Sequence, residues 1–154
     1  NFNVNFPFRK ELALLLKEKG YTLVSTFYNP YVDIQLAQLN AEEWAGVFKY
    51  CSLVVTERFH DTLFALRNLI PVVSIDWDFE RFSDNNDSKT YRILEDYEML
   101  FMHYNVSEIK DVQQIILELE DNLKKVNVDK IEYYNNIYIN KAQDILNTIK
   151  FRFS

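Results

Sequence analysis

Glycine is nearly missing from this chain, with two in 154 residues. Phosphate-cradling loops of the P-loop and dinucleotide-binding types need backbone that no side chain obstructs. Neither G-x-G-x-x-G nor G-x-x-x-x-G-K occurs. Any phosphate must therefore be held by side chains and a helix N-terminus. There is one cysteine, Cys51, so no intrachain disulfide can form, and its use suits a reducing compartment. Cys51 precedes an apolar run and reads as core packing. Excess positive charge is also lacking. A net charge of -6 and a pI near 4.9 exclude the basic stripe that a nucleic-acid surface requires. No stretch approaches the roughly 20 apolar residues of a membrane span. The opening NFNVNFPFRK lacks the basic segment and apolar run of a signal peptide. The expected location is the cytoplasm, including its boundary with the inner face of the membrane.

The residues that are present suit one globular domain over 1–154. They are 48% hydrophobic and 26% charged, enough to bury a single core. Phe2, Val4 and Phe6 alternate with asparagines, which predicts a short strand over 2–6. Phe8, Leu12, Leu15 and Leu16 follow at helical spacing, and Gly20 stands where a helix would end. YTLVSTF (21–27) reads as a strand. Asn40 and Glu43 predict a capping box at the start of a helix running to about Tyr50. CSLVVT (51–56) and PVVSID (71–76) read as buried strands, separated by a helix from Phe59 to Asn68. A polar loop covers 77–88, and a helix spans about 89–97. LFMHY (100–104) reads as a strand. Two long helices finish the chain, the last with its apolar stripe on Ile131, Tyr134, Tyr138, Ala142, Ile145 and Ile149. Tyr133-Tyr134-Asn135-Asn136 reads as an exposed face of that helix. Strand, helix and strand joined by short connections predict an α/β, Rossmann-like three-layer domain with a mostly parallel sheet.

Ligands of such sheets bind beyond the carboxyl ends of the strands. The turn after 51–56 is Glu57-Arg58-Phe59-His60-Asp61-Thr62. It offers a guanidinium fork for a carboxylate or phosphate, an imidazole for proton exchange and a helix N-terminus. An Arg and a His at a strand end also occur as surface residues with local hydrogen bonds, and spacing alone does not separate the two readings. Asp61 suits the helix dipole but repels a nearby phosphate. At the same sheet end, Asp76, Trp77 and Asp78 could border a ligand, and Trp77 could stack on a sugar or cover the core edge. His103, inside an apolar run, reads as structural. No His/Cys/Asp cluster points to a metal.

The stretch from Glu42 to Asp78, EEWAGVFKYCSLVVTERFHDTLFALRNLIPVVSIDWD, resembles the C-terminal region of the polysaccharide pyruvyl transferase family. Trp44, Leu53, Val54, Val55, Thr56, Arg58, Phe59, His60, Thr62, Phe64, Ala65, Leu66, Pro71 and Val72 carry the resemblance. Lys89-Thr90-Tyr91-Arg92-Ile93-Leu94 extends it to about residue 94. The resemblance implies the C-terminal half of a GT-B-like pair of Rossmann-like domains, with the site in the cleft between them. It implies transfer of a pyruvyl group from phosphoenolpyruvate to two hydroxyls of a sugar or glycan, as a ketal, with no further cofactor. By position, Arg58 would clamp the donor and His60 would act as general acid or stabilise the departing phosphate. Thr62, Asp76 and Trp77 would border the donor, and Lys89 would neutralise phosphate. Asp61 stands where many members carry a small residue. The family's first domain lies outside these residues, so the half alone is expected to be inactive. Two other readings fit the same pattern: the donor-binding domain of a GT-B nucleotide-sugar glycosyltransferase, and a non-catalytic interaction domain.

Overall fold

A computed structural model describes residues 1–2, 5–36, 38–77, 88–105 and 112–152. Helix α1 (Arg9–Glu18) buries Leu12, Ala13 and Leu16. Its end is a Schellman turn: Gly20 at φ +87° donates to Lys17 O, and Tyr21 donates to Leu16 O. Strands β1 (Val24–Ser25) and β2 (Ile34–Gln35) pair in parallel. Helix α2 (Ala41–Val47) carries the expected capping box. Glu43 N–H donates to Asn40 Oδ1 and Asn40 N–H to Glu43 Oε2, both at 2.9 Å.

Strands β3 (Val54–Thr56), β4 (Val72–Asp76) and β5 (His103–Asn105) form a parallel sheet in that order. Between them lie α3 (Phe59–Arg67) and α4 (Lys89–Asp96); α5 (Gln113–Lys125) and α6 (Val128–Arg152) follow. All five residues of β4 are buried, as a strand covered on both faces requires. Register sorts the two faces. Thr56, Ser74 and His103 align across β3, β4 and β5, and their face meets α3 and α4. Ile75 and Tyr104 align on the opposite face, where Tyr104 Oη meets Glu118 and Asn122 of α5. The helix–sheet–helix sandwich is the Rossmann-like α/β domain that the succession of elements predicts.

Five expectations change. Phe2 and Phe6 are both buried, with rings stacked 4.4 Å apart, and Asn5 lies in a turn. An extended strand separates residues i and i+4 by about 13 Å, so Phe2 and Phe6 do not belong to one extended strand. Strand 21–27 shrinks to Val24–Ser25, and 100–104 becomes a 3₁₀ turn over Leu100–Met102 followed by β5. The stripe of α6 splits. Ile131 is buried and Tyr134 and Tyr138 pack beside Tyr97, whereas Ile145 and Ile149 are exposed. Tyr134 and Asn135 face inward, with Tyr134 bonded to Glu98 and Asn135 Nδ2 donating to Leu66 O; only Tyr133 and Asn136 stand out. The loop expected over 77–88 lies outside the described residues except for its two ends. Among the described residues no helix is long and apolar enough to cross a membrane.

Candidate functional site

The turn after β3 is set by two threonines. Thr56 is fully buried, and its hydroxyl oxygen accepts the Arg58 N–H at 3.0 Å. Thr62, one turn into α3, is also fully buried; its N–H and hydroxyl both donate to Arg58 O, at 3.0 and 3.1 Å. Arg58 is thereby fixed as the N-cap residue of α3, with φ -102° and ψ 127°. The extended backbone is that of an N-cap residue, and the Arg58 side chain makes no capping bond to α3. Thr62 thus supports Arg58 from below, and its hydroxyl also lies 3.3 Å from Ser74 Oγ.

The Arg58 guanidinium lies over the Phe27 ring, with Cζ 3.7 Å from the ring centroid. Phe27 leaves β1 and Arg58 leaves β3, so this cation–π contact bridges the carboxyl ends of two strands. Such a contact is worth about 0.5–1 kcal/mol when exposed and orients the guanidinium plane. Phe27 is in turn edge-on to Trp44, at 6.4 Å, and Trp44 is edge-on to His60, also at 6.4 Å. His60 is exposed, and its ring also meets Phe59 at 5.7 Å. Lys89, the first residue of α4, places Nζ 5.9 Å from the Phe59 centroid. Arg58, His60 and Lys89 are thus gathered on one aromatic shelf of Phe27, Trp44 and Phe59. Among the described residues no carboxylate pairs with any of the three. A shelf of this kind attracts an anion by charge and gives a flat ligand an apolar surface to lie on.

Asp61 points away from this shelf. It is fully buried in the first turn of α3, where its Oδ2 accepts the Thr56 hydroxyl at 2.9 Å, and Oδ1 has no hydrogen-bond partner among the described residues. Its carboxylate is directed into the sheet rather than at a ligand on the outer side of the turn.

Asp76, at the carboxyl end of β4, is buried as well. Thr90 Oγ1 donates to its Oδ1 at 2.7 Å, and His103 Nε2 lies 2.8 Å from its Oδ2. Burial pushes the carboxyl up, but hydrogen bonds from His103, Ser88 and Thr90 and the nearby imidazole outweigh it, so Asp76 sits below its ordinary value of 3.8. The His103 ring is held edge-on by Tyr91, 5.3 Å away. Trp77 packs edge-on against Phe6 at 6.1 Å, which places it on the core edge. Asp78 lies outside the described residues.

The structure therefore gathers Arg58, His60 and Lys89 and leaves Thr62 and Asp76 inside as supports. Sequence reasoning missed Phe27, for which no local signal exists, since it meets Arg58 only through the approach of β1 to β3. It also missed Ser88, whose side chain caps α4 by accepting Tyr91 N–H at 2.9 Å. A serine just before an amphipathic run is a readable cap signal. Among the described residues no group of three His, Cys, Asp or Glu side chains could hold a metal ion.

Neither the curated proteins nor the solved structures contain a match to this chain. A family model does match it: residues 2–79 fit the polysaccharide pyruvyl transferase model, covering β1 to β4 and the whole Phe27–Trp44–Arg58–His60 shelf but not Lys89. With half of its length so matched, the chain belongs to the polysaccharide pyruvyl transferase family.

Proposed function

We propose that the domain binds phosphoenolpyruvate on the Arg58–His60 shelf and serves as the donor half of a transferase that builds pyruvyl ketals on a sugar or glycan. The observation that carries this reading is Arg58 itself: a guanidinium anchored through its backbone, oriented by Phe27 and paired with no carboxylate among the described residues. A fork of donors in that state suits a small dianionic acid, whose carboxylate or phosphate it would grip bidentately. Lys89, across Phe59, supplies a second positive charge for the other end of the donor.

His60, exposed beside Trp44 and Phe59, is the proton donor in this scheme. Its proton goes to the methylene carbon of the enol, turning CH₂ into CH₃ and leaving the neighbouring carbon electrophilic. One sugar hydroxyl adds there and releases its proton. Phosphate then leaves with its bonding pair, and a second hydroxyl adds with loss of its proton to close the ketal. One released proton restores His60, and the other departs with phosphate. Thr56 and Thr62 act by positioning Arg58.

The sugar would lie across a cleft completed by a second domain, so the 154 residues alone are expected to bind donor without turnover. Ketal formation by this chain alone would overturn that part. Calorimetric titration of the chain with phosphoenolpyruvate tests the rest. Arg58→Ala should weaken binding roughly 10–100-fold, the equivalent of a lost charged hydrogen-bond pair. Binding that survives the substitution defeats the site assignment. Tight binding of a nucleotide sugar instead favours a glycosyltransferase donor domain.

A further inference from the structure

A cleft of about 410 Å³ runs between β1 and β3, away from the Arg58 shelf. Its floor is the inward face of α1, with Leu12, Ala13 and Leu16, and its walls are Thr22–Ser25 on one side and Cys51–Leu53 and Val55 on the other. The two walls are sheet edges. On β1, Ile34 N–H donates to Leu23 O and Leu36 N–H to Ser25 O, so residues 23 and 25 face β2. Alternation then directs the N–H and C=O of Val24 into the cleft. On β3, Val54 N–H donates to Pro71 O, so residue 54 faces β4 and Leu53 and Val55 face the cleft.

One residue already occupies the cleft's end in the manner of a strand. The Asn1 nitrogen donates to Val55 O at 2.7 Å and Glu57 N–H donates to Asn1 O at 3.5 Å, the alternating pattern of a parallel ladder. On the other side, Asn1 Oδ1 accepts the Thr26 N–H and the Ser25 hydroxyl, each at 3.0 Å. Asn1 thus joins β1 to β3 at the carboxyl ends of both.

We infer that the cleft between β1 and β3 is a strand slot, filled by extended polypeptide that enters Asn1 from its N-terminal side and runs parallel to both walls. Its backbone bonds to Val24 on one side and to Leu53 and Val55 on the other. Side chains on one face of it cover Leu12, Ala13 and Leu16. The two separate sheets become one, in the order β2, β1, slot, β3, β4, β5. In chain order the slot strand comes first, with the chain then stepping outward to β1 and β2 before returning to β3. The slot lies where the strand order reverses, and the carboxyl ends flanking that point carry Phe27 and Arg58. The occupant sets the spacing between those two residues and so belongs to the support of the shelf.

A small apolar ligand is the rival occupant, and Cys51 in the wall reports on both. The chain is extended at its N-terminus by about five residues, a common strand length, either β-branched and apolar (Val-Val-Ile-Val-Val) or Gly/Ser. Iodoacetamide modification of Cys51, Tm and amide exchange at Val24, Leu53 and Val55 are measured for both. The Gly/Ser extension controls for loss of the terminal amine. The apolar extension should raise Tm and slow both Cys51 modification and the three amides about tenfold or more; the Gly/Ser extension should do neither. Equal Cys51 and amide protection in the two extended chains overturns the proposal. Protection of Cys51 without the amides points to side-chain filling in the ligand manner and also overturns it. Ala13→Phe, which places a ring in the cleft of the unextended chain, should abolish the benefit of the apolar extension. An undiminished benefit overturns the slot assignment even where one extended chain folds poorly.

Discussion

Two turns leave the same end of the sheet, and they treat similar residues in opposite ways. After β3, Arg58 and His60 are turned outward onto an aromatic shelf, and no carboxylate meets them among the described residues. After β4, Asp76 is drawn inward and tied to Thr90 and His103. Each region holds a histidine. His60 stands on the exposed side of α3, whereas the His103 side chain is 7% exposed and shares a close bond with Asp76. Among the described residues, the first arrangement pairs neither Arg58 nor His60 with a carboxylate and leaves both for a ligand. The second uses every donor at hand to hold a carboxylate, which is the work of a scaffold.

The sharpest way to break this comparison is to remove the buried carboxylate. Asp76→Ala strands His103 and Thr90 in the interior and should cost about 3 kcal/mol. For a domain of this size that lowers Tm by about 6–12 °C, measured by calorimetry. His60→Ala should move Tm by less than about 2 °C, as an exposed substitution does. Equal losses would erase the distinction between the two turns. Acid sharpens the same point. The folded carboxyl of Asp76 titrates below 3.8, so its contribution is complete above that value and fades as pH falls through the lower folded one. Asp76→Asn should therefore flatten the acid limb of Tm against pH.

At the alkaline end the governing groups are tyrosines. Burial, with Glu118 nearby, pushes Tyr104 up to about 12, and burial with Asp96 does the same for Tyr138. The folded chain retains protons that the unfolded chain releases near 10, so stability falls as pH rises from about 10 to 12. Tyr104→Phe should make that limb shallower; an unchanged slope would contradict it.

Asp61 tests the comparison from the other side, because it is a buried carboxylate belonging to the outward turn. Thr56 keeps a second acceptor in Asn1 O, 3.0 Å away, so Asp61→Ala should cost only about 1 kcal/mol. If Asp61 repels the donor, the same variant binds phosphoenolpyruvate more tightly. Unchanged affinity would mean that its inward orientation already removes the conflict. The smallest effect is expected from Phe27→Ala, which removes the guanidinium's shelf and should weaken donor binding roughly 2–5-fold.

Much of this was legible in the chain. The capping box at Asn40 and Glu43, the end of α1 at Gly20 and the β3–α3–β4 unit all follow from local rules, since caps, positive φ and apolar runs act over a few residues. The Arg58-Phe59-His60 turn stood out because a strand end and a helix start bracket it. Lengths were less legible. Strand 21–27 contracted to two residues because a strand persists only where an edge pairs it, and β2 supplies two partners. The α6 stripe looks continuous in sequence, yet its burial stops after Tyr138, where the contacts of Asp96, Tyr97 and Glu98 run out.

By itself the sequence determined the class of this protein: an α/β domain, built without glycine loops, with an arginine and a histidine at one strand end. Those features rest on short-range chemistry that every residue carries with it. Only the tertiary structure decided which groups face a ligand. Parallel register set His103 on the same face as Asp76, a buried threonine pair fixed Arg58 at the helix cap, and the approach of β1 to β3 brought Phe27 beneath its guanidinium. Residues separated by 31 positions meet there through that approach, and no local pattern encodes the meeting.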